Sequence, residues 1–304
     1  MIYTLTLNPS LDYILNLKAL ECGKTNRVED SCLFAGGKGI NVSLMLQNLG
    51  IESVVLGFLA GFSGQEICNR LEQKGLDCRF VMLEKGHTRI NVKLHTQTEE
   101  TEINASGFEV GDLDLGRLKQ QLEQIENHSI LVLAGSVPCG VEQGIYAEIM
   151  QELEAKNLLV ILDAQGVALR EALSWRPFLV KPNLSELQSY FQEEIQYDSL
   201  QQYALRLQEQ GARNVIISLG GDGAVMLTEN NEFFTLKAPQ GRLVNSVGAG
   251  DSMVAGFVAG WLQTQDYAFA FRYAIACGSA SAFAQGFGTL EDVQNILKKM
   301  EEVK

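Results

Sequence analysis

The sequence has no run of apolar residues long enough to span a bilayer. Its hydrophobic stretches are short and broken by glycine or charge, as in Ser53–Leu59 and Ser129–Ala134, whereas a spanning helix needs roughly 20 consecutive apolar residues. The opening MIYTLTLNPS also lacks a basic segment leading into an apolar stretch and a small-residue cleavage site, so a cytoplasmic location is the expectation. Histidine is scarce: His87, His95 and His128 stand in separate segments without neighbouring ligands, which argues against a structural zinc site. The six cysteines, at 22, 32, 68, 78, 139 and 277, show no CxxC pairing. A chain of this length does not need disulfide staples, and reduced thiols are expected.

Positive charge is in deficit. With 24 Lys and Arg against 37 Asp and Glu, the net charge is −13, and the protein lacks the excess of basic residues by which nucleic-acid-binding proteins displace counterions from phosphates. Neither nucleic acid nor a membrane is expected as a partner. The same negative field repels anionic metabolites at long range. A bound phosphate ester must therefore be met by individual cations, which singles out Lys38, Arg27, Arg89 and Lys181.

What the sequence does contain is alternation. Strand-like segments at Ile2–Leu7, Ser53–Leu59, Ile130–Ala134, Leu158–Asp163, Phe178–Lys181 and Asn214–Leu219 are separated by helical patterns at Asn41–Leu49, Gly64–Lys74, Asp114–Glu126, Gly144–Ala155 and Ser199–Glu209. Buried strands interleaved with amphipathic helices imply an α/β fold of three layers, α/β/α, around a mainly parallel sheet. At 304 residues and 46% hydrophobic composition, one domain spanning residues 1–304 with one large core is expected. Two stretches, 12–34 and 88–106, instead alternate polar and apolar residues, as in Arg89-Ile90-Asn91-Val92-Lys93-Leu94, which suits strands exposed on one face. They fit either a small β-sheet lid, covered by the substrate cleft and by a second copy in a homodimer, or an ordinary pair of surface hairpins.

Four segments carry candidate chemistry. In Gly248-Ala249-Gly250-Asp251, glycines precede a buried helix and leave backbone N–H groups at its start, where they and the helix dipole attract an anion. Asp251 beside that pocket can take the proton of an attacking hydroxyl, although aspartate is equally a good helix N-cap. In Gly36-Gly37-Lys38-Gly39-Ile40-Asn41, the glycines permit close backbone approach and the lysine supplies a point charge; an exposed turn reads the same. The spacing of a GxxxxGK[ST] loop is absent from the sequence. Lys181-Pro182-Asn183 with Glu186 ends a strand and offers oxygen ligands to magnesium through water, or simply a capping box. Ser218-Leu219-Gly220-Gly221-Asp222-Gly223 reads as a hairpin whose free amides can line a nucleotide site.

Taken in order, Asn8-Pro9-Ser10 with Asp12, the glycine-lysine segment with Asn41, Lys181-Pro182-Asn183 with Glu186, the Ser218–Gly223 loop and Gly248–Asp251 resemble the PfkB carbohydrate kinases of the ribokinase-like group over nearly the whole chain. Within that family, TLNPSLD and GGKGINVS are most similar to the branch acting on fructose 1-phosphate, with tagatose 6-phosphate as a neighbouring substrate. The resemblance implies ATP and Mg2+ as cofactors and a sugar phosphate as substrate, with fructose 1,6-bisphosphate as the product expected first. It implies that Asp12, Gly37, Gly39 and Asn41 hold the sugar and that Lys38 and Arg89, with Arg27, hold the phosphate already on it. Lys181, Asn183, Ser218, Gly220, Gly221, Gly223, Gly250 and Gly278 would line the ATP site, although a tight helix contact explains Gly278 equally well. Glu186 would act on the metal through water, and Gly248, Ala249 and Gly250 would form the anion hole beside the base Asp251. A neutral-sugar kinase would leave the cations without an anion, and a sugar-phosphate sensor would have no use for the base.

Overall fold

The structure, a computed structural model, describes residues 1–96 and 98–302. In chain order its elements are β1 (Ile2–Thr6), β2 (Ser10–Asn16), β3 (Asp30–Gly36), α1 (Lys38–Asn48), β4 (Val54–Ala60), α2 (Gly61–Gln73), β5 (Asp77–Leu83), β6 (Arg89–His95) and β7 (Glu100–Ile103). There follow α3 (Asp112–Leu122), β8 (Ile130–Ala134), α4 (Ile145–Glu152), β9 (Leu159–Asp163), α5 (Gly166–Leu173), β10 (Leu179–Val180), α6 (Leu184–Phe191), α7 (Leu200–Glu209) and β11 (Asn214–Ser218). The hairpin β12 (Ala224–Leu227) and β13 (Phe233–Leu236) precedes three closing helices, α8 (Ala249–Thr264), α9 (Tyr267–Ala282) and α10 (Leu290–Glu302). The chain's last described element is α10, and residues 303 and 304 lie outside the described residues.

The apolar strands are buried on both faces because helices cover both. Tyr3, Leu5, Leu56 and Phe58 point to one side, where Leu118 of α3, Ile145 of α4, Leu169 of α5 and Leu207 of α7 close over them. Ile2, Val55, Ile130 and Val132 point to the other, against Met45 of α1, Ile67 of α2 and Phe257 and Phe271 of α8 and α9. Each such side chain taken from water contributes roughly 1.5–3 kcal/mol. The result is the expected three-layer α/β/α architecture.

The central sheet runs β13-β12-β11-β10-β9-β8-β1-β4-β5. Its strands from β5 to β11 are parallel, and β12 is antiparallel to β11. The chain begins at β1, builds outward through β4 to β5, then returns to β8 on the other side of β1 and proceeds to β11. Strand order therefore reverses between β1 and β8, and in such sheets the crevice beyond the carboxyl ends at that point is where ligands bind.

A second sheet, in the order β3-β2-β6-β7, stands over this crevice. Leu11, Leu33 and Ala35 on its back pack with Ile67 and Leu71 of α2. The other face carries Ser10, Asp12, Asn91 and Lys93 toward the cleft. The strands of the two alternating segments begin at Ser10 and Arg89, and residues 17–29 form no strand; Gln97, inside the second segment, lies outside the described residues. Among the described residues no helix is long and apolar enough to cross a membrane.

Candidate active site

Parallel strands deliver their last residues to one edge of the sheet, and here those residues are polar or charged. Asp163 ends β9, Lys181 follows β10 and Ser218 ends β11. All three line a cavity of 1020 Å³ together with Asn183, Glu186, Gly220, Gly221, Gly223, Gly248, Ala249, Gly250 and Gly278. A second cavity of 690 Å³, beneath the small sheet, takes in Ser10, Asp12, Gly37, Asn41, Arg89, Asn91 and Lys93. Lys38, Glu102, Asp163, Val247, Gly248 and Asp251 border both. These six define the junction between the cavities.

The loop before α8 is shaped for an anion. Gly248 sits at φ 79°, a left-handed conformation that costs a non-glycine residue. From there the helix starts at once: Ser252 N donates to Gly248 O at 2.8 Å, so the amides of Gly250 and Asp251 precede the first intrahelical bond of that ladder. Lys181 faces the same turn, since a Cβ on Gly250 would lie 3.3 Å from its Nζ. Asp251 itself is buried at the first turn of α8, and its Oδ2 accepts a 2.7 Å bond from Asn41 Nδ2. Burial, and after it the negative charge of Asp163, push Asp251 up to about 6, against the opposing pull of Lys38, Asn41 and Lys181. A carboxylate near its own pKa at the junction of two cavities is a competent proton acceptor.

Lys38 borders both cavities and not the smaller one alone. Its Nζ donates to Asp163 Oδ1 at 2.7 Å and reaches Glu186 Oε1 at 3.4 Å, so it spans the junction. Burial works to lower its pKa, but Asp163, Glu186 and Asp251 outweigh this and keep it charged. Asp163 is clamped from the other side by Lys181, 3.2 Å from Oδ2. Despite complete burial the two lysines hold Asp163 below the usual carboxylate range.

Glu186 belongs to a capping box: Asn183 Oδ1 accepts from Glu186 N at 2.8 Å, and Glu186 Oε2 accepts from Asn183 N at 2.9 Å. Its Oε1 accepts from Gln165 and Lys38. This carboxylate already has donors on both oxygens, which suits an outer contact through water better than direct ligation. Among the described residues no three His, Cys, Asp or Glu side chains form a ready-made cage. Such a donor set fits a hydrated magnesium ion carried mainly by phosphates. The Ser218–Gly223 loop is tied to this segment by Ser218 N donating to Pro182 O at 3.0 Å, and its Asp222 accepts from Tyr197 OH at 2.8 Å.

Position sets three of the expected sugar-side residues apart. Arg27 is exposed on the loop between β2 and β3 and borders neither cavity. Gly39 borders neither cavity and is set against β1, where a Cβ would meet Thr6 Oγ1 at 2.6 Å; it lets α1 approach the sheet. Lys38 sits at the junction, as described. Arg89 does border the smaller cavity, with its guanidinium donating to the carbonyls of Asn8, Pro9 and Ala105 at 3.0–3.4 Å. Burial pulls its pKa down while Asp12 opposes. Gly278 lies at the larger cavity and also packs against α8, where a Cβ would come within 2.6 Å of Met253 Cγ.

Sequence reasoning passed over Asp163, Asn91, Lys93 and Glu102. Asp163 had a signal: like Lys181, it is a charge closing an apolar strand. The other three stand on alternating strands, and only the pairing of β2, β6 and β7 shows which face they take.

A glycine-lined cavity and a cavity of polar side chains meeting at a carboxylate are the parts of a phosphoryl-transfer site. The family model described as "pfkB family carbohydrate kinase" matches residues 5–293. The chain is similar to a protein of Bacillus subtilis (strain 168) named 1-phosphofructokinase, 42% identical over 302 residues and covering 99% of each chain. It is similar also to a D-tagatose-1-phosphate kinase of Bacillus licheniformis, 33% identical with 99% of each covered. The crystal structure of phosphofructokinase-2 from Escherichia coli in complex with substrates and products matches with a TM-score of 0.93 at 28% identity over 99% of both chains. The family model spans nearly the whole chain and the relatives match it end to end, and the chain belongs to the pfkB family of carbohydrate kinases.

Proposed function

We propose that this protein transfers the γ-phosphoryl group of Mg-ATP to fructose 1-phosphate, giving fructose 1,6-bisphosphate and ADP. The observation that carries the reading is Asp251: a buried carboxylate raised to about 6 at the junction of a glycine-lined cavity and a cavity rich in hydroxyl-binding side chains. In this reading the nucleotide occupies the larger cavity and the sugar phosphate the smaller. Asp251 accepts the proton of the sugar hydroxyl as its oxygen attacks the γ-phosphorus and ADP departs. Charge developing on the transferring group meets the amides of Gly250 and Asp251, Lys181 and Lys38, which is where most of the catalysis in such reactions arises. Asn41 fixes the base, and Arg89 meets the phosphate already present on the sugar. Magnesium, arriving with the nucleotide, neutralises phosphate charge, and Glu186 would hold it through a water.

The substrate rests on the relatives' names together with the cation at the sugar end. The relative named D-tagatose-1-phosphate kinase supports a second reading, the C4 epimer carrying its phosphate at the same carbon. Release of ADP with Mg-ATP and, in parallel, fructose 1-phosphate, fructose 6-phosphate, tagatose 1-phosphate, tagatose 6-phosphate and ribose separates them. Fructose 1-phosphate is expected to give the highest kcat/KM, and Asp251→Ala to lose roughly 10²-fold or more in kcat, the usual size of a general-base effect. A preference for ribose, or no turnover on any of the five, overturns the reading.

The lid's cleft face continues past Asp12 into Ile14, Cys32 and Phe34, which share its side by register. Phe34 is 40% exposed. This apolar strip suits the same strip of a second copy, so the working unit is proposed to be a homodimer. A Phe34→Glu variant running as a monomer in light scattering, beside a dimeric parent, is the expected result.

A further inference from the structure

In β6, alternate residues share one face, and the strand brings Arg89, Asn91 and Lys93 to the cleft side. Its register sets Asn91 beside Asp12 and Lys93 beside Ile14 on β2, while on β7 Lys93 is paired with Glu102. Cross-strand neighbours on one face interact directly. The Lys93 side chain is 7% exposed, and its Nζ lies 3.4 Å from Asp12 Oδ2 and 3.4 Å from Glu102 Oε1. The other oxygen of Asp12 is also occupied: Oδ1 accepts from Ser10 Oγ at 2.6 Å and from Asn91 Nδ2 at 3.1 Å. Asn91 is held in turn, its Oδ1 accepting from Ala105 N at 3.2 Å.

Two roles are open to a buried ammonium in this place, and charge decides between them. As a receptor for the substrate's phosphate, Lys93 would first have to give up one of two carboxylates that already outnumber its charge. Among the described residues Arg89 donates only to carbonyls, and it keeps its charge for that task. As a support for Asp12, Lys93 needs no rearrangement. A carboxylate distinguishes hydroxyl positions only when its lone pairs are fixed, and donors from β2 and β6 fix this one from both sides.

We propose that Lys93 is the positioning residue of the sugar subsite, holding Asp12 in the orientation that accepts the substrate's hydroxyls, with Glu102 as its second anchor. The proposal rests on reading the smaller cavity as the sugar-phosphate site. Because Glu102 also borders the larger cavity, the same ammonium ties the lid's outer strand to the hydroxyl reader beneath it.

Steady-state kinetics of the full-length parent, Lys93→Met, Lys93→Arg, Glu102→Gln and the Lys93→Met/Glu102→Gln pair test this, each substrate being varied at saturation of the other and folding followed by thermal melts. Lys93→Met is expected to raise the KM for fructose 1-phosphate roughly tenfold, as for loss of a charge-assisted bond, with the KM for ATP within about twofold of the parent. Lys93→Arg should recover most of that loss. Glu102→Gln should raise the sugar-phosphate KM about threefold, and the pair should be no worse than Lys93→Met alone, because Glu102 acts through Lys93. Equal changes in both KM values, no recovery by arginine, or additive effects in the pair would each overturn the proposal. Should Lys93→Met fail to fold, Glu102→Gln decides: a raised KM for sugar phosphate alone supports it, and a raised KM for ATP alone refutes it. A parent inactive on every sugar phosphate overturns the kinase reading itself, a result distinct from an active parent whose variants behave otherwise.

Discussion

The two cavities that meet at Asp251 are built in different ways. The larger one is made by loops at the ends of parallel strands: Lys181–Glu186 after β10, Ser218–Gly223 after β11 and Gly248–Asp251 before α8. Each is a short contiguous string, and much of what it offers is backbone N–H. The smaller one is made by side chains that meet across β2, β6 and β7, from residues as far apart as Ser10 and Glu102. Backbone amides suit phosphates, which differ little from one nucleotide to the next. Side chains on a lid suit sugars, whose hydroxyl positions must be told apart. On a shared scaffold, what a protein recognises is set by the residues of its site and not by the fold.

Lys38 is the sharpest way to break this division, because it belongs to both sides. If it stabilises the group in flight, Lys38→Met lowers kcat by roughly 10²-fold, the size of losing one oxyanion donor, and leaves both KM values near the parent's. If instead it holds the phosphate already on the sugar, the KM for sugar phosphate rises and kcat stays. Its bonds to Asp163 and Glu186 favour the first result. Thermal melts exclude misfolding, since the change leaves Asp163 with Lys181 as its cation.

The pH dependence of kcat/KM sharpens the comparison further. Asp251 must be ionised to accept a proton, and burial with the charge of Asp163 raises it from 3.8 to about 6. Activity is therefore expected to fall tenfold per unit below about pH 6, where an ordinary aspartate would hold it to about 4. A limb near 4 would mean that the junction is wetter or more cationic when substrates arrive than the free protein makes it.

The difference between the cavities also sets how much was legible in the sequence. Strands β1, β4, β8, β9, β10 and β11 were readable because burial on both faces writes them as unbroken apolar runs. Edge strand β5, with Asp77 and Arg79 on its open side, and half-buried β13 did not have that signature, and β12 has it over only four residues. The loops of the larger cavity were legible because each is local. Lys93 and Glu102 were not, because their meaning lies in a register that a one-residue slip would reverse. Lys38 stood out in the sequence as a cation among glycines, but its direction did not: only the fold puts the carboxylates of Asp163 and Glu186, far along the chain, within its reach.

The smallest expected effect concerns stability and tests whether the junction is held under electrostatic stress. In the unfolded chain Asp251 ionises near 3.8, and in the folded protein near 6. The favourable contribution of its protonated form is thus full below about pH 4 and is lost as pH rises through about 6. Above that point the folded state carries a buried charge beside Asp163, at a cost of no more than about 3 kcal/mol from a shift of about two units. Asp251→Asn keeps an oxygen for the amide of Asn41 and removes the charge. It is expected to raise Tm by a few degrees at pH 8, at roughly 2 °C per kcal/mol for a chain of this size. The gain should shrink between pH 6 and pH 4 and vanish below. A variant that loses turnover while gaining stability marks a site where function is bought with strain, whereas an equal Tm at pH 8 would mean that Lys38, Lys181 and Asn41 already compensate the charge in full.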